Sequence, residues 1–171
     1  LILLNHGIFT FADDAKESYE LMIKYISLAE KELKQKSKSI RVKKYQEKKI
    51  TTSLIANLIR QQISIKANQQ IDRKVVYFHK PNFLDEFFSH PKLKQFTTQG
   101  PVTPDHVIRI KSKPLLIDLS DEKSLNLESK IIKAIQKYQD DYQKYFKRNH
   151  KYNSKANMLD PYPRLIVVKG I

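Results

Sequence analysis

Apolar positions along the chain come in short blocks, and their spacing changes from block to block. Residues 1–4 and 8–11 are nearly continuous apolar runs, broken at Asn5-His6-Gly7, and they predict buried extended segments. Asp13 and Asp14 then offer helix N-caps, and Asp14 with Glu17 has capping-box spacing. Ala15, Tyr19, Met22, Ile26, Ala29 and Leu33 follow at steps of three and four. That spacing predicts an amphipathic helix, with Lys16, Glu20, Lys24 and Glu30 on its polar face. A basic stretch over 34–49 prolongs or ends this helix and links onward.

A second helix is predicted over 51–66, with Leu54, Leu58 and Ile59 as its apolar stripe. Residues 75–78 read as a strand, and "PNFLDEFFSHPKL" as a short helix capped by Asn82 and ending near Pro91. "TTQGPVTPDHVIRIK" is punctuated by Gly100-Pro101 and Thr103-Pro104 and reads as turn-rich. Residues 114–118 form a short strand, and Ile131, Ile135, Tyr138, Tyr142 and Tyr145 mark a long third helix closing around His150. The tyrosines fall at helical spacing, which favours core packing or a subunit contact over a platform for stacked bases. "MLDPYPRLIVVKGI" gives a turn and a terminal strand at 165–168. Strands alternating with helices predict the α/β class. No repeat is visible, and both ends read as cut rather than finished.

Composition narrows the function classes. The chain has 171 residues, 40% of them hydrophobic and 29% charged, so it can bury a core. With no cysteine, disulfides, cysteine nucleophiles and thiolate metal sites are excluded. The apolar runs are too short to span a bilayer and no signal peptide is visible, so a cytoplasmic location is expected. Only three glycines are present, Gly7, Gly100 and Gly170. They are too far apart for a dinucleotide fingerprint or a phosphate loop. The net charge of +14 raises the question of nucleic acid, but the cations are 26 Lys against 6 Arg. Between 31 and 50 nine cations face Glu32 and Glu47, so this one stretch supplies half of the net charge. A solvated lysine-rich connection accounts for that better than a nucleic-acid patch does.

Two places could carry chemistry. His6, at the end of an apolar run with Gly7 beside it, is a suitable divalent-metal ligand, although one imidazole makes no metal site. In "TPDHVIR", Asp105, His106 and Arg109 lie close together between turn signals, where they could meet a phosphate or carboxylate. The structural reading of the same residues is that Asp105 caps the next segment and pairs with Arg109, while the prolines fix the backbone.

"NHGIFTFADDAKESYELMIKYISLAEKEL" resembles the closing segment of the class II aldolase and adducin head family, in which a strand ending in His-Gly precedes such a helix. "GPVTPDHVIRIK" and "NMLDPYPRLIVVKGI" resemble the bifunctional proteins joining this module to a short-chain dehydrogenase, the rhamnulose-phosphate aldolase/alcohol dehydrogenase type. The resemblance implies three parts. Residues 1–36 would be the C-terminal strand-helix piece of an aldolase-like α/β/α module, 37–50 a lysine-rich connection, and 51–171 an α/β extension toward a dehydrogenase module absent here. It implies Zn2+ with His6 as one of three histidine ligands, and retro-aldol cleavage of a ketose 1-phosphate such as rhamnulose 1-phosphate. His106, Arg109 and Asp105 remain the candidate substrate-binding residues.

The family's other metal histidines, its catalytic glutamate and its phosphate loops would lie upstream of residue 1. The chain is therefore expected to be inert alone, holding zinc weakly unless an upstream polypeptide supplies the missing ligands. The family tends to form symmetric oligomers, which leaves a homo-oligomer open. The adducin branch offers a second reading, a non-enzymatic interaction module. A basic nucleic-acid binder, resting on charge alone, is the third.

Overall fold

The computed structural model describes residues 1–38, 51–67, 70–120 and 126–171. Most of the expected lysine-rich connection, 39–50, lies outside the described residues.

The chain opens with a two-residue antiparallel hairpin, β1 (Ile2–Leu3) and β2 (Gly7–Ile8), in which Ile2 faces Ile8. The long helix α1 (Ala15–Lys36) follows. Asp14 is its N-cap, and its carboxylate accepts from the Glu17 N–H at 2.8 Å, satisfying a donor that the first turn cannot. Thr10 and Ser18 exchange hydroxyl-to-carbonyl hydrogen bonds at 2.8 and 3.0 Å and hold the incoming chain against the helix start.

The expected burial of this region does not occur. Leu1, Ile2, Leu4, Phe9 and Phe11 are exposed, and α1 buries none of its residues. Apolar spacing says that a face can be covered, and the described chain supplies nothing to cover it.

The core belongs to the rest of the chain. Helix α2 (Thr52–Ile63) is capped by the Thr51 side chain and buries Ile55, Ile59 and Ile63. These isoleucines recur every fourth residue, and the expected stripe holds in part: Ile59 is in the core and Leu58 flanks it, whereas Leu54 is exposed. The helix stops at Ser64, short of 66: this residue is extended (φ −78°, ψ 126°), and its N–H and hydroxyl both donate to the Arg60 carbonyl, at 3.1 and 2.7 Å. The backbone then enters an antiparallel pair, β3 (Ile65–Ala67) with β4 (Gln70–Asp72), where no strand was expected.

Residues 75–78 alternate as a strand would, with Val75 and Tyr77 exposed and Val76 and Phe78 packed on the core. They join no ladder among the described residues, so the expected strand is an extended segment packed on the core through Val76 and Phe78. The short helix expected next ends just before Pro91, as α3 (Leu84–Ser89), and a further helix, α4 (Leu93–Thr98), follows where none was expected. His90 precedes Pro91 and is extended (φ −69°, ψ 129°), the conformation that a following proline favours. Asn82 caps neither helix; Phe83 holds the N-cap position of α3 without a side-chain bond.

The turn-rich stretch resolves into α5 (Pro104–Ile110), with Pro104 in its first turn where a missing N–H costs nothing. Strand β5 (Leu115–Asp118), helix α6 (Leu127–His150) and strand β6 (Ile166–Lys169) then form a β-α-β unit. β5 and β6 are parallel, Leu115 facing Ile166 and Asp118 facing Lys169, and α6 provides the long crossover that parallel pairing demands. Leu127, Ile131, Ile135 and Tyr138 of α6 pack with the α2 isoleucines and with Leu115, Ile117 and Leu119. Gly170 closes the unit. At φ +92° its hydrogen faces the loop after β5, and a Cβ there would come 2.5 Å from the Ser120 nitrogen. The class is thus mixed α and β, with strict alternation at β5-α6-β6 and paired hairpins or successive helices elsewhere.

Candidate functional site

A cleft of about 360 Å3 lies between one face of α6 and two turns, at 98–100 and 112–113. Tyr138, Asp141, Tyr142, Tyr145 and Arg148 share that face because they recur at steps of three and four. Gly100 sits at φ +92°, and a Cβ there would come 3.2 Å from the Ser112 carbonyl oxygen, so the two turns lie against one another. The Tyr138 hydroxyl donates to the Lys113 carbonyl at 3.0 Å and ties the second turn to the helix. Of the tyrosine stripe, Tyr138 is in the core and Tyr142 packs against it, and all three tyrosines line the cleft.

Behind Tyr142 sits Lys111, the feature that sequence reasoning missed. It follows α5 with a left-handed backbone (φ +66°) and is 4% exposed. Its ammonium donates to the Asp160 and Tyr162 carbonyls, the latter at 2.6 Å. It lies 3.7 Å from the Asp160 carboxylate and 4.2 Å from the Tyr142 ring centroid. Burial pushes its pKa below the ordinary lysine value, and the Asp160 charge offsets part of that. Burial works against ionisation of Asp160 too, but the Arg164 hydrogen bond and the Lys111 charge outweigh it and hold that carboxyl below its usual range. The segment 160–164 is thereby fastened to the end of α5. A lysine reads as a surface residue in any sequence, and its partners lie about fifty positions away, so no local signal marked it.

Burial raises the Tyr138 hydroxyl from 10.0 to about 12. A folded pKa above the unfolded one gives stability that is fully present below pH 10 and lost as pH rises toward 12. Wild type is therefore expected to lose roughly 2 kcal/mol across that window beyond what Tyr138→Phe loses. Urea unfolding of both proteins at stepped alkaline pH, with tyrosinate absorbance as the titration readout, checks this. Parallel alkaline losses in the two proteins would contradict it.

The residues singled out from sequence are dispersed. His6 is exposed in the β1–β2 turn, beside Asn5 at φ +59°, and its N–H bonds the Leu3 carbonyl at 3.1 Å. Among the described residues no three His, Cys, Asp or Glu side chains gather to hold a metal, so the residues present do not fit a zinc centre. Asp105, His106 and Arg109 are all exposed on α5. The His106 ring is occupied locally, its Nδ1 within 2.6 Å of the Thr103 hydroxyl. Thr103, not Asp105, holds the N-cap position, and no ion pair joins Asp105 to Arg109 among the described residues. No helix among the described residues is long and apolar enough to cross a membrane.

The family model described as "Aldolase class II, second domain" matches residues 50–171, the part that contains the core, the cleft and Lys111. Among curated proteins, the chain is 23% identical over 181 residues to "Uncharacterized oxidoreductase YuxG" of Bacillus subtilis (strain 168). That match covers 100% of this chain and 25% of the relative, so the chain spans about a quarter of the relative's length. No solved structure matches the chain.

Proposed function

The chain belongs to the class II aldolase second-domain family, and from that premise we propose that residues 51–171 are the non-catalytic companion of a sugar-phosphate aldolase centre within a longer protein. The reaction of the whole would be retro-aldol cleavage of a ketose 1-phosphate, such as rhamnulose 1-phosphate to dihydroxyacetone phosphate and lactaldehyde. The observation that carries the reading is the family match over 50–171. The relative's name describes an oxidoreductase four times as long, which supports a fused dehydrogenase part in the longer protein. Within it, His6 would be one of three histidines on a zinc ion, the others coming from upstream polypeptide.

In this reading 51–171 contributes shape and binding rather than bond cleavage. The exposed apolar hairpin and α1 favour a related second reading, an adducin-like interaction module, because such faces are satisfied by another polypeptide.

The 171-residue chain alone is expected to show no turnover of rhamnulose 1-phosphate, with or without added zinc, and no stoichiometric zinc on titration. In the longer protein, His6→Ala is expected to lower turnover by about two orders of magnitude, the scale on which metal-site residues act. Turnover by the isolated chain, or a longer protein indifferent to His6→Ala, would sink the proposal. If the longer protein cleaves no sugar phosphate at all, the interaction module takes its place.

A further inference from the structure

The cleft on α6 has a lining that points to one class of ligand. Its cations are Lys113, Lys144 and Arg148, and Asp141 is the only acid among its lining residues. Asp141 is already answered by Lys137, 3.5 Å away, so the positive charge of the cleft stands nearly uncompensated. Lys144 and Arg148 are four residues apart on α6 and rise together on its exposed side. Ser112 and the two outer tyrosines add hydroxyl groups around the same space.

Two further observations limit what fits. A volume of about 360 Å3 is at the lower end for small-molecule sites. The aromatic rings are also engaged: the Lys111 ammonium lies over Tyr142, and the Arg148 guanidinium lies 5.9 Å from the Tyr145 centroid. A planar base would have to displace these cations in order to stack.

We propose that this cleft binds a compact phosphate monoester. Lys144 and Arg148 hold the dianion, Arg148 through paired N–H donors, and the Ser112 and tyrosine hydroxyls meet the organic part. The site lies entirely within 98–148 and needs no retro-aldol centre, so it stands or falls independently of the proposed reaction.

Calorimetric titration of the whole 171-residue chain with glycerol 3-phosphate tests this, with inorganic phosphate as a second probe and glycerol as the uncharged control. Saturable one-to-one binding is expected for the monoester and none for glycerol. Lys144→Ala with Arg148→Ala is expected to weaken binding at least about tenfold, the equivalent of one charge-assisted contact. Both positions are exposed, and circular dichroism confirms that the variant folds. Lys31→Ala with Lys34→Ala removes the same two charges from α1 and is expected to leave affinity within about twofold. Equal binding of inorganic phosphate supports the site and assigns it to the free anion. Three outcomes overturn the proposal: no saturable binding of either anion, equal weakening by the α1 pair, or binding confined to a long polyanion such as RNA.

Discussion

Ile131→Ala is expected to lower the unfolding free energy by about 3 kcal/mol. Ile131 is 0% exposed, on the face of α6 that packs against the α2 isoleucines and against Leu115 and Ile117 of β5. Truncation removes buried methyl and methylene groups and leaves a cavity that these rigid neighbours close only in part. Ile26→Ala makes the contrast. Ile26 sits in the apolar stripe of α1 but is 43% exposed, so its loss is expected to stay within about 0.5 kcal/mol. Urea midpoints of the two variants, measured on the whole chain at low concentration, provide the comparison. An Ile26→Ala cost approaching that of Ile131→Ala would mean that α1 packs on another polypeptide, a second copy included.

That contrast also marks where sequence reasoning ended. Repeats of three and four located both long helices, and Asp14 with Glu17 located the start of the first. The same repeat could not say which stripe is covered, because amphipathicity records a preference and burial depends on a neighbour. α6 has its neighbours in α2 and β5, whereas α1 buries none of its residues. Shorter elements failed for local reasons. α2 ended before 66, where Ser64 turns extended, and a further helix, α4, followed Pro91 where none was expected. At 75–78 the alternation was real, but no strand stood beside it.

The candidate site was less legible still. Asp105, His106 and Arg109 drew notice as chemically capable residues in a run of turns, and the fold leaves them exposed on one short helix, outside the cleft. The cleft depends instead on a tyrosine stripe, two turns and a lysine whose contacts are all long-range. The charge excess that reads as a solvated stretch between 31 and 50 recurs in small on α6, at Lys144 and Arg148, where a concave wall turns it into a candidate site.

Lys111→Ala is expected to cost about 3 kcal/mol, although a lysine is the last residue one would place in a core. Its ammonium donates to two part-buried carbonyls and faces a carboxylate and an aromatic ring. Alanine would leave the Asp160 and Tyr162 carbonyls without their donor and the Asp160 carboxylate with Arg164 alone. Removing one member of a buried charged pair costs more than the pair gains. Alanine would also keep a β-carbon at φ +66°, where side chains are disfavoured. Lys111→Gly removes the same charge but relieves that backbone, so it is expected to be less damaging than alanine by about 1 kcal/mol. The pH dependence adds a separate check. Burial lowers the folded pKa of Lys111 below the ordinary 10.5, so the unfolded chain binds more protons there. Stability contributed by this residue therefore rises as pH climbs from the lowered value toward 10.5, opposite in sign to the effect of Tyr138. The stability gap between wild type and Lys111→Met should widen over that range. A gap that stays constant, together with an alanine variant as stable as wild type, would place Lys111 at the surface and detach segment 160–164 from the core.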